Sequence, residues 1–407
     1  MTTIKDKMNH KFRNLEGGLF LDVSKADVGS STEEFFLAGG DNMAWADMFY
    51  PDPSIPLSVK KATLACVEEG SVSHYTLPIG LGKLREAVAK HVEKKTGLSI
   101  DPNRNVVITP GSDSGLLFAM MPFIEEGDEV LIFDPSYPSN FLNVQLLGGI
   151  PVSIPTRFDE NYQISIEELE KRVTPKTKMV VLTHPNNPTT VVYRKENLIQ
   201  LTKFIVEHDL VLVCDQAFED HIYDGIEFVA PCTLPGMWER TVTVCSLSKG
   251  YGLSGYRIGY IYTNDVIMDV LYAATVNVCG APSTISTYGA IAALEDASIL
   301  PSYTTKLEKR QHTFYEMMKD IPGVKLHKSE SGILAWLDIH ALGSSQEVAQ
   351  YIMKHANIMV NEGTPYGKEG EGYIRIVSCT FYEEKDAILR YQRIKDALIA
   401  LGKEKGF

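Results

Sequence analysis

A lysine set directly behind a buried strand constrains this chain more than any other feature. Residues Thr241 to Cys245 form an apolar alternating run, and the stretch from Ser246 to Tyr260 reads SLSKGYGLSGYRIGY, with Lys249 near its start. Such a run ahead of a Gly- and Ser-rich turn predicts a strand whose C-terminal end opens into a loop, where open α/β sheets bind ligands. Long amines are ordinarily solvated, so a single lysine is by default a surface charge. Its neighbours argue otherwise. Ser246 and Ser248 are hydroxyl donors, three glycines let backbone amides approach an anion, and Arg257 offers a planar fork suited to phosphate oxygens.

A partly desolvated amine beside a second cation loses its proton readily, as imine formation with an aldehyde requires. The cofactor that carries both an aldehyde and a phosphate is pyridoxal 5′-phosphate. The stretch resembles the phosphate-and-lysine segment of fold-type I, class I/II aminotransferases, in which the lysine precedes the arginine by eight positions, as 249 precedes 257 here. A rival reading starts from Gly250, Gly252 and Gly255, which spell the G-x-G-x-x-G of dinucleotide-binding loops. That fingerprint needs its last glycine to open a helix, whereas RIGYIYT follows at once and reads as another strand. Nicotinamide binding at this loop is rejected.

With 407 residues, 44% of them hydrophobic, the chain can bury one large core and a second, smaller one. A formal net charge of −13 argues against a nucleic-acid surface, because phosphate backbones are bound by basic patches. No run of about 18 apolar residues exists, and the start MTTIKDKMNHKF lacks the apolar core of a signal peptide, so no membrane partner and a cytoplasmic location are expected. The six cysteines show no C-x-x-C spacing, and reduced buried thiols are expected in place of disulfides or metal ligands.

In chain order, residues 1 to about 20 read as an arm, Gly39 and Gly40 as a turn, and Ser58 to Glu69 as a helix with Val59, Ala62 and Cys66 on one face. Tyr75 lies in HYTLPIGLGKLREA, a pattern similar to the family segment whose tyrosine reaches the cofactor phosphate of the partner subunit. NVVITPGSDSGLLFAMMPF reads as strand, glycine turn and helix. Its first turn offers free backbone N–H groups to an anion, and the resemblance makes Gly111, Ser112 and Asp113 phosphate-binding candidates. The Asp113 carboxylate should then turn away from the phosphate. Tyr137, in SYPSNF after a strand, corresponds to the aromatic that stacks on the cofactor ring.

TKMVVLTHPNNPTT is a buried strand entering a turn where the family reads NPTG. Asn187 matches the asparagine that donates to the ring hydroxyl oxygen, and it is also taken as a substrate contact. Thr190 stands where the family has glycine, which implies a different backbone turn. DLVLVCDQAFED ends a strand in Asp215, a carboxylate costly to bury unpaired. The resemblance pairs it with the protonated ring nitrogen. The steps from 187 to 215 and from 215 to 249, 28 and 34 residues, suit the family's arrangement. Phe218 departs from it, because the family has a tyrosine whose hydroxyl reaches the same ring oxygen as Asn187. Arg375, in the alternating strand YIRIVSC 126 residues beyond Lys249, matches the fork that binds the substrate α-carboxylate, and Gly40 is a further substrate-binding candidate.

The resemblance therefore implies an α/β fold: a large domain with a mostly parallel sheet flanked by helices, and a smaller α/β domain. Residues 1–51 would form the arm and part of the small domain, 52–295 the cofactor domain, and 296–407 the rest of the small domain. The implied chemistry is amino transfer from an L-amino acid to a 2-oxo acid by way of an imine on Lys249. Phe218 and Thr190 leave a C–S β-lyase or amino-acid decarboxylase as the alternative. No motif supplies a second arginine for a distal carboxylate, while Trp45, Tyr75 and Phe218 suggest an apolar or aromatic wall, so neutral or aromatic substrates are expected. Because Tyr75 would reach the partner's phosphate, a homodimer is expected, with no metal.

Overall fold

The computed structural model of the chain describes residues 3–12 and 30–407; most of the expected N-terminal arm lies outside the described residues. Its larger sheet has seven strands in the spatial order Val106–Thr109, Gly259–Tyr262, Thr241–Ser246, Val211–Asp215, Thr177–Thr183, Glu129–Asp134 and Ile150–Pro155. The last five run parallel to one another, and Gly259–Tyr262 runs antiparallel to both its neighbours. Segment 247–258 explains the reversal. It holds one helical turn, Leu247–Gly250, and a short 3-10 turn, Ser254–Tyr256, and no crossover helix that could return the chain parallel. The same geometry disposes of dinucleotide binding at the Gly250 loop.

The parallel strands are apolar along their length because helices cover both faces of the sheet. Val180, Leu182 and Leu212 join one core cluster, and Val181, Val213 and Val244 join another. Thr183, Asp215 and Ser246 end neighbouring parallel strands at one edge.

A second sheet pairs Asn361–Glu362, Tyr373–Val377, Leu334–Asp338 and Lys325–Leu326, all antiparallel. Helices Ile299–Met318, Ser345–Ala356 and Glu384–Glu404 contribute Phe314, Ile352, Tyr391 and Ile394 to its core, where Leu337 and Ile374 are fully buried. The chain from residue 41 onward is laced to this sheet. Asp41–Asn42 pairs with Ile358–Met359, Val377 donates to the Met43 carbonyl at 2.8 Å, and Phe49 donates to Cys379 at 2.9 Å. Residues 44–47 are thereby delivered to the space between the two sheets. No described helix is long and apolar enough to cross a membrane.

The turn after Thr177–Thr183 corrects one expectation. Thr190 takes φ 66°, the left-handed conformation that glycine adopts freely, so the threonine carries strain where a different turn was expected. It is held by its own N–H on Asn186 O at 2.9 Å and by Ser331 Oγ donating to its carbonyl at 2.7 Å. Thr190→Gly should unfold in urea with about 1 kcal/mol more stability than Thr190→Ala, because both lose the side chain and only glycine loses the strain. Equal stabilities would show that the turn relaxes around the larger residue.

Candidate active site

A cavity of about 330 Å³ opens where the strand ends of the large sheet face the second sheet and the 44–47 loop. Lys249, Asp215, Asn187 and Phe218 line it from the strand-end turns. Ser112, Asp113 and Tyr137 line it from two helix starts, Ser246, Ser248 and Arg257 from the Lys249 segment, and Arg375 from the second sheet. Eleven residues spread over more than 260 positions of sequence thus meet in one space.

Asp215 closes its strand fully inside the protein, 3% exposed. Its carboxylate accepts the Ala217 N–H at 3.1 Å and the Thr183 hydroxyl at 3.5 Å, and it makes no ion pair among the described residues. Burial pushes its carboxyl up to about 7 against the relief from these donors. Lys249 is partly buried in the cavity wall and donates to the Ala46 carbonyl. Burial lowers its amine to about 8, with Asp47 and Asp113 opposing that shift and Arg375 and Arg257 adding to it.

At the other end of the cavity, Gly111 takes φ 87° as the cap of helix Ser112–Met120. A Cβ there would fall 2.3 Å from Arg257 Nη2, so only glycine lets the guanidinium lie across the helix start. Gly111 thus sits beneath the cavity wall, although it does not line it. Ser246 caps the Lys249 turn, its hydroxyl accepting the Ser248 N–H at 3.1 Å. Asp113 does not turn away as expected. Its carboxylate accepts the Tyr137 hydroxyl at 2.6 Å and lies 3.8 Å from Arg257 Nη2, so it faces the arginine itself. Burial, followed by the Asp113 charge, raises the Tyr137 hydroxyl well above its ordinary value.

Arg375 is buried at 6% exposure, not displayed on an outer face. One terminal nitrogen donates to Asn187 Oδ1 at 3.2 Å, the other to the Ala44 carbonyl at 2.6 Å and Asn361 Oδ1 at 2.7 Å, and the guanidinium lies 5.0 Å over the Tyr366 ring. Its Nε is buried with no hydrogen-bond partner, a donor left for a ligand.

Two expectations do not join this cavity. Gly40 packs against the Phe35 ring and is absent from the wall; the loop a few residues further on, Ala44 to Asp47, takes the place it was given. Tyr75 is 96% exposed, away from the cavity of its own chain. The contributions of Asp47, Ser254, Asn361 and Tyr366 carry no sequence signal, since each lies in a loop, a single 3-10 turn or a two-residue strand.

These residues fit pyridoxal phosphate. A buried carboxylate lacking a cation suits a protonated ring nitrogen, and a helix start with an arginine fork and two serines suits a phosphate. The phosphate end is also the open end, with Arg257 and Asp113 side chains 50% and 54% exposed.

Residues 42–389 match the family of class I and II aminotransferases. The chain is 32% identical to aromatic-amino-acid aminotransferase 2 of Thermococcus litoralis, over 84% of this chain and 89% of that protein. It is 31% identical to an aspartate aminotransferase of Pyrococcus abyssi, with the same two coverages. Among solved structures it is similar to an aromatic aminotransferase from Pyrococcus horikoshii, with TM-score 0.83 and 28% identity over 90% of this chain and 98% of that one. It is also similar to the Thermus thermophilus aspartate aminotransferase solved with maleate, with TM-score 0.82 and 25% identity over 90% and 94% of the two chains. Fold, cavity and kinship agree that this chain belongs to the class I and II aminotransferases and is a pyridoxal-phosphate-dependent enzyme.

Proposed function

We propose that the enzyme moves the amino group of an L-amino acid lacking a distal carboxylate to a 2-oxo acid, in a site completed by a second copy of the chain. The observation that carries this reading is the convergence of Lys249, Asp215 and Arg375 on one cavity whose wall offers no spare cation among the described residues. When bound, pyridoxal phosphate supplies an aldehyde for the amino group and a ring that delocalises the electrons left at the α-carbon. Arg375 binds the α-carboxylate with its fork, steadied by Asn187 and Asn361. The Lys249 amine, lowered to about 8 by burial, would take the α-proton and give it back when the amino group is moved. Asp215 would hold the ring nitrogen, Arg257 with Ser246, Ser248 and the Gly111 turn would hold the phosphate, and Tyr137 and Phe218 would flank the ring and exclude water. The large and small domains divide near residues 51 and 295.

The test is a panel of amino donors, with formation of the 2-oxo product as readout. Neutral and aromatic donors should give higher kcat/KM than aspartate or glutamate, and a clear preference for either dicarboxylate would overturn the substrate assignment. Pyruvate or CO2 released in place of the matching 2-oxo acid would point to a lyase.

A second subunit is supported by the surface around Tyr75. Leu57, Leu64, Val67, Leu77, Val276 and Val278 are all exposed, and the Tyr75 loop is pinned to this region by Thr284 donating to His74 O at 2.6 Å and Thr76 donating to Pro282 O at 3.2 Å. Exposed apolar side chains on the helices that flank a pinned loop suit an isologous interface in which each Tyr75 crosses to the other site. Tyr75→Phe should weaken cofactor retention by about tenfold or more, the loss of one hydrogen bond to a charged group, while sedimentation still reports a dimer. A fully active monomer at dilution would refute the shared site.

A further inference from the structure

Resting on the reading of the cavity as an amino-donor site, the distribution of charge around it points to a side-chain specificity. The described cations in its wall are Lys249, Arg257 and Arg375, and the proton transfer, the phosphate and the α-carboxylate occupy all three. Of its three carboxylates, Asp215 faces the ring nitrogen, and Asp113 is tied to the Tyr137 hydroxyl at 2.6 Å and lies 3.8 Å from Arg257. The third, Asp47, accepts the Ser254 hydroxyl and forms no ion pair among the described residues.

Its place on the chain matters as much as its charge. The carbonyl of Ala44 receives Arg375 at 2.6 Å, and the carbonyl of Ala46 receives the Lys249 amine. Asp47 is therefore carried by the same short loop whose carbonyls meet the α-carboxylate fork and the reacting lysine, and it lines the cavity they share. The loop is fixed on one side by Val377 donating to the Met43 carbonyl and on the other by Phe49 donating to Cys379, so the carboxylate is presented by a held backbone. A distal carboxylate on the donor would meet Asp47 with no spare cation in the wall to offset it, the nearby Lys249 being the reacting amine. A distal ammonium would gain a charge-assisted partner in a partly buried wall.

We propose that Asp47 is a specificity-determining residue that selects amino donors whose side chain ends in a cationic group and rejects those ending in a carboxylate. Lysine and norleucine differ at the chain end by the ammonium, so their ratio isolates the effect. In the holoenzyme, kcat/KM for 2-oxo acid formation at the α-carbon should favour lysine over norleucine by about tenfold or more, with glutamate below both. Asp47→Asn should bring the lysine-to-norleucine ratio close to one, and Asp47→Glu should restore part of it. Calorimetric binding of the unreactive α-methyl analogues of the same two amino acids should show the same change in ratio without turnover. An Asp47→Asn enzyme that loses rate equally on every donor, or a wild type that prefers norleucine or glutamate, overturns the assignment and leaves the aminotransferase reading standing. Failure of every donor to yield a 2-oxo acid would strike that earlier reading instead.

Discussion

Lys249→Ala should lower turnover by at least about a thousandfold while leaving the fold in place. Proton transfer by a positioned side chain contributes on the order of 10²–10⁴ in rate, and in the proposed role one amine would serve both as the base for the α-proton and as the acid that returns it. No neighbour can substitute for it. The charged groups around it are Asp47 and Asp113, whose carboxylates already accept the Ser254 and Tyr137 hydroxyls, and the guanidiniums of Arg257 and Arg375, which offer donors and no acceptor. For the same reason Lys249→Arg should not rescue activity, although it keeps the positive charge. Borohydride treatment followed by intact mass gives a second readout: the cofactor should become fixed to the wild-type chain and not to Lys249→Ala. The alanine variant should keep the wild-type far-UV spectrum, since the Lys249 side chain makes its one hydrogen bond to a loop carbonyl and holds no core element in place. A variant retaining a tenth of the wild-type rate, or still fixed by borohydride, would remove Lys249 from the chemistry.

The residues that could be read from sequence share a physical situation. Asp215 closes a buried parallel strand, and Asn187 and Lys249 lie in the turns just after two others, so a local pattern of apolar run and turn locates them without knowledge of the tertiary contacts. Arg375 was readable because it interrupts an alternating strand. What escaped comes from the opposite situation. Ala44 to Asp47 enters the cavity through the pairing of Met43 with Val377, more than 330 residues away, and nothing in the local sequence announces that register. Gly40 was misplaced because its turn lies just upstream of the piece that reaches the site. Tyr75 is 96% exposed on its own chain, so no local packing announces what its hydroxyl reaches.

Asp215→Asn should make the cofactor-free protein more stable and the enzyme much worse, with a pH signature that separates this from an ordinary packing change. The carboxyl is raised in the folded state to about 7 from an ordinary 3.8, chiefly by burial. Below about pH 4 it is protonated in both folded and unfolded chains, and ionisation contributes nothing to stability. Between about 4 and 7 the unfolded chain ionises while the folded one resists, so the wild type loses stability as pH rises. Above about 7 the cost is constant, at most about 4 kcal/mol. Asparagine has no such cost. Urea unfolding of the two cofactor-free proteins should therefore show the variant ahead at pH 8, with the gap closing toward pH 4. Pyridoxal phosphate should reverse the order at pH 8, because a positive ring nitrogen compensates the wild-type carboxylate and finds no charge on the amide. Turnover should fall by about a hundredfold or more, since the ring no longer holds its proton and draws electrons from the α-carbon less strongly. A stability difference of the same size at pH 4 and pH 8 would show that Asp215 is not buried as an unpaired carboxylate, and its assignment as the partner of the ring nitrogen would lose its physical basis.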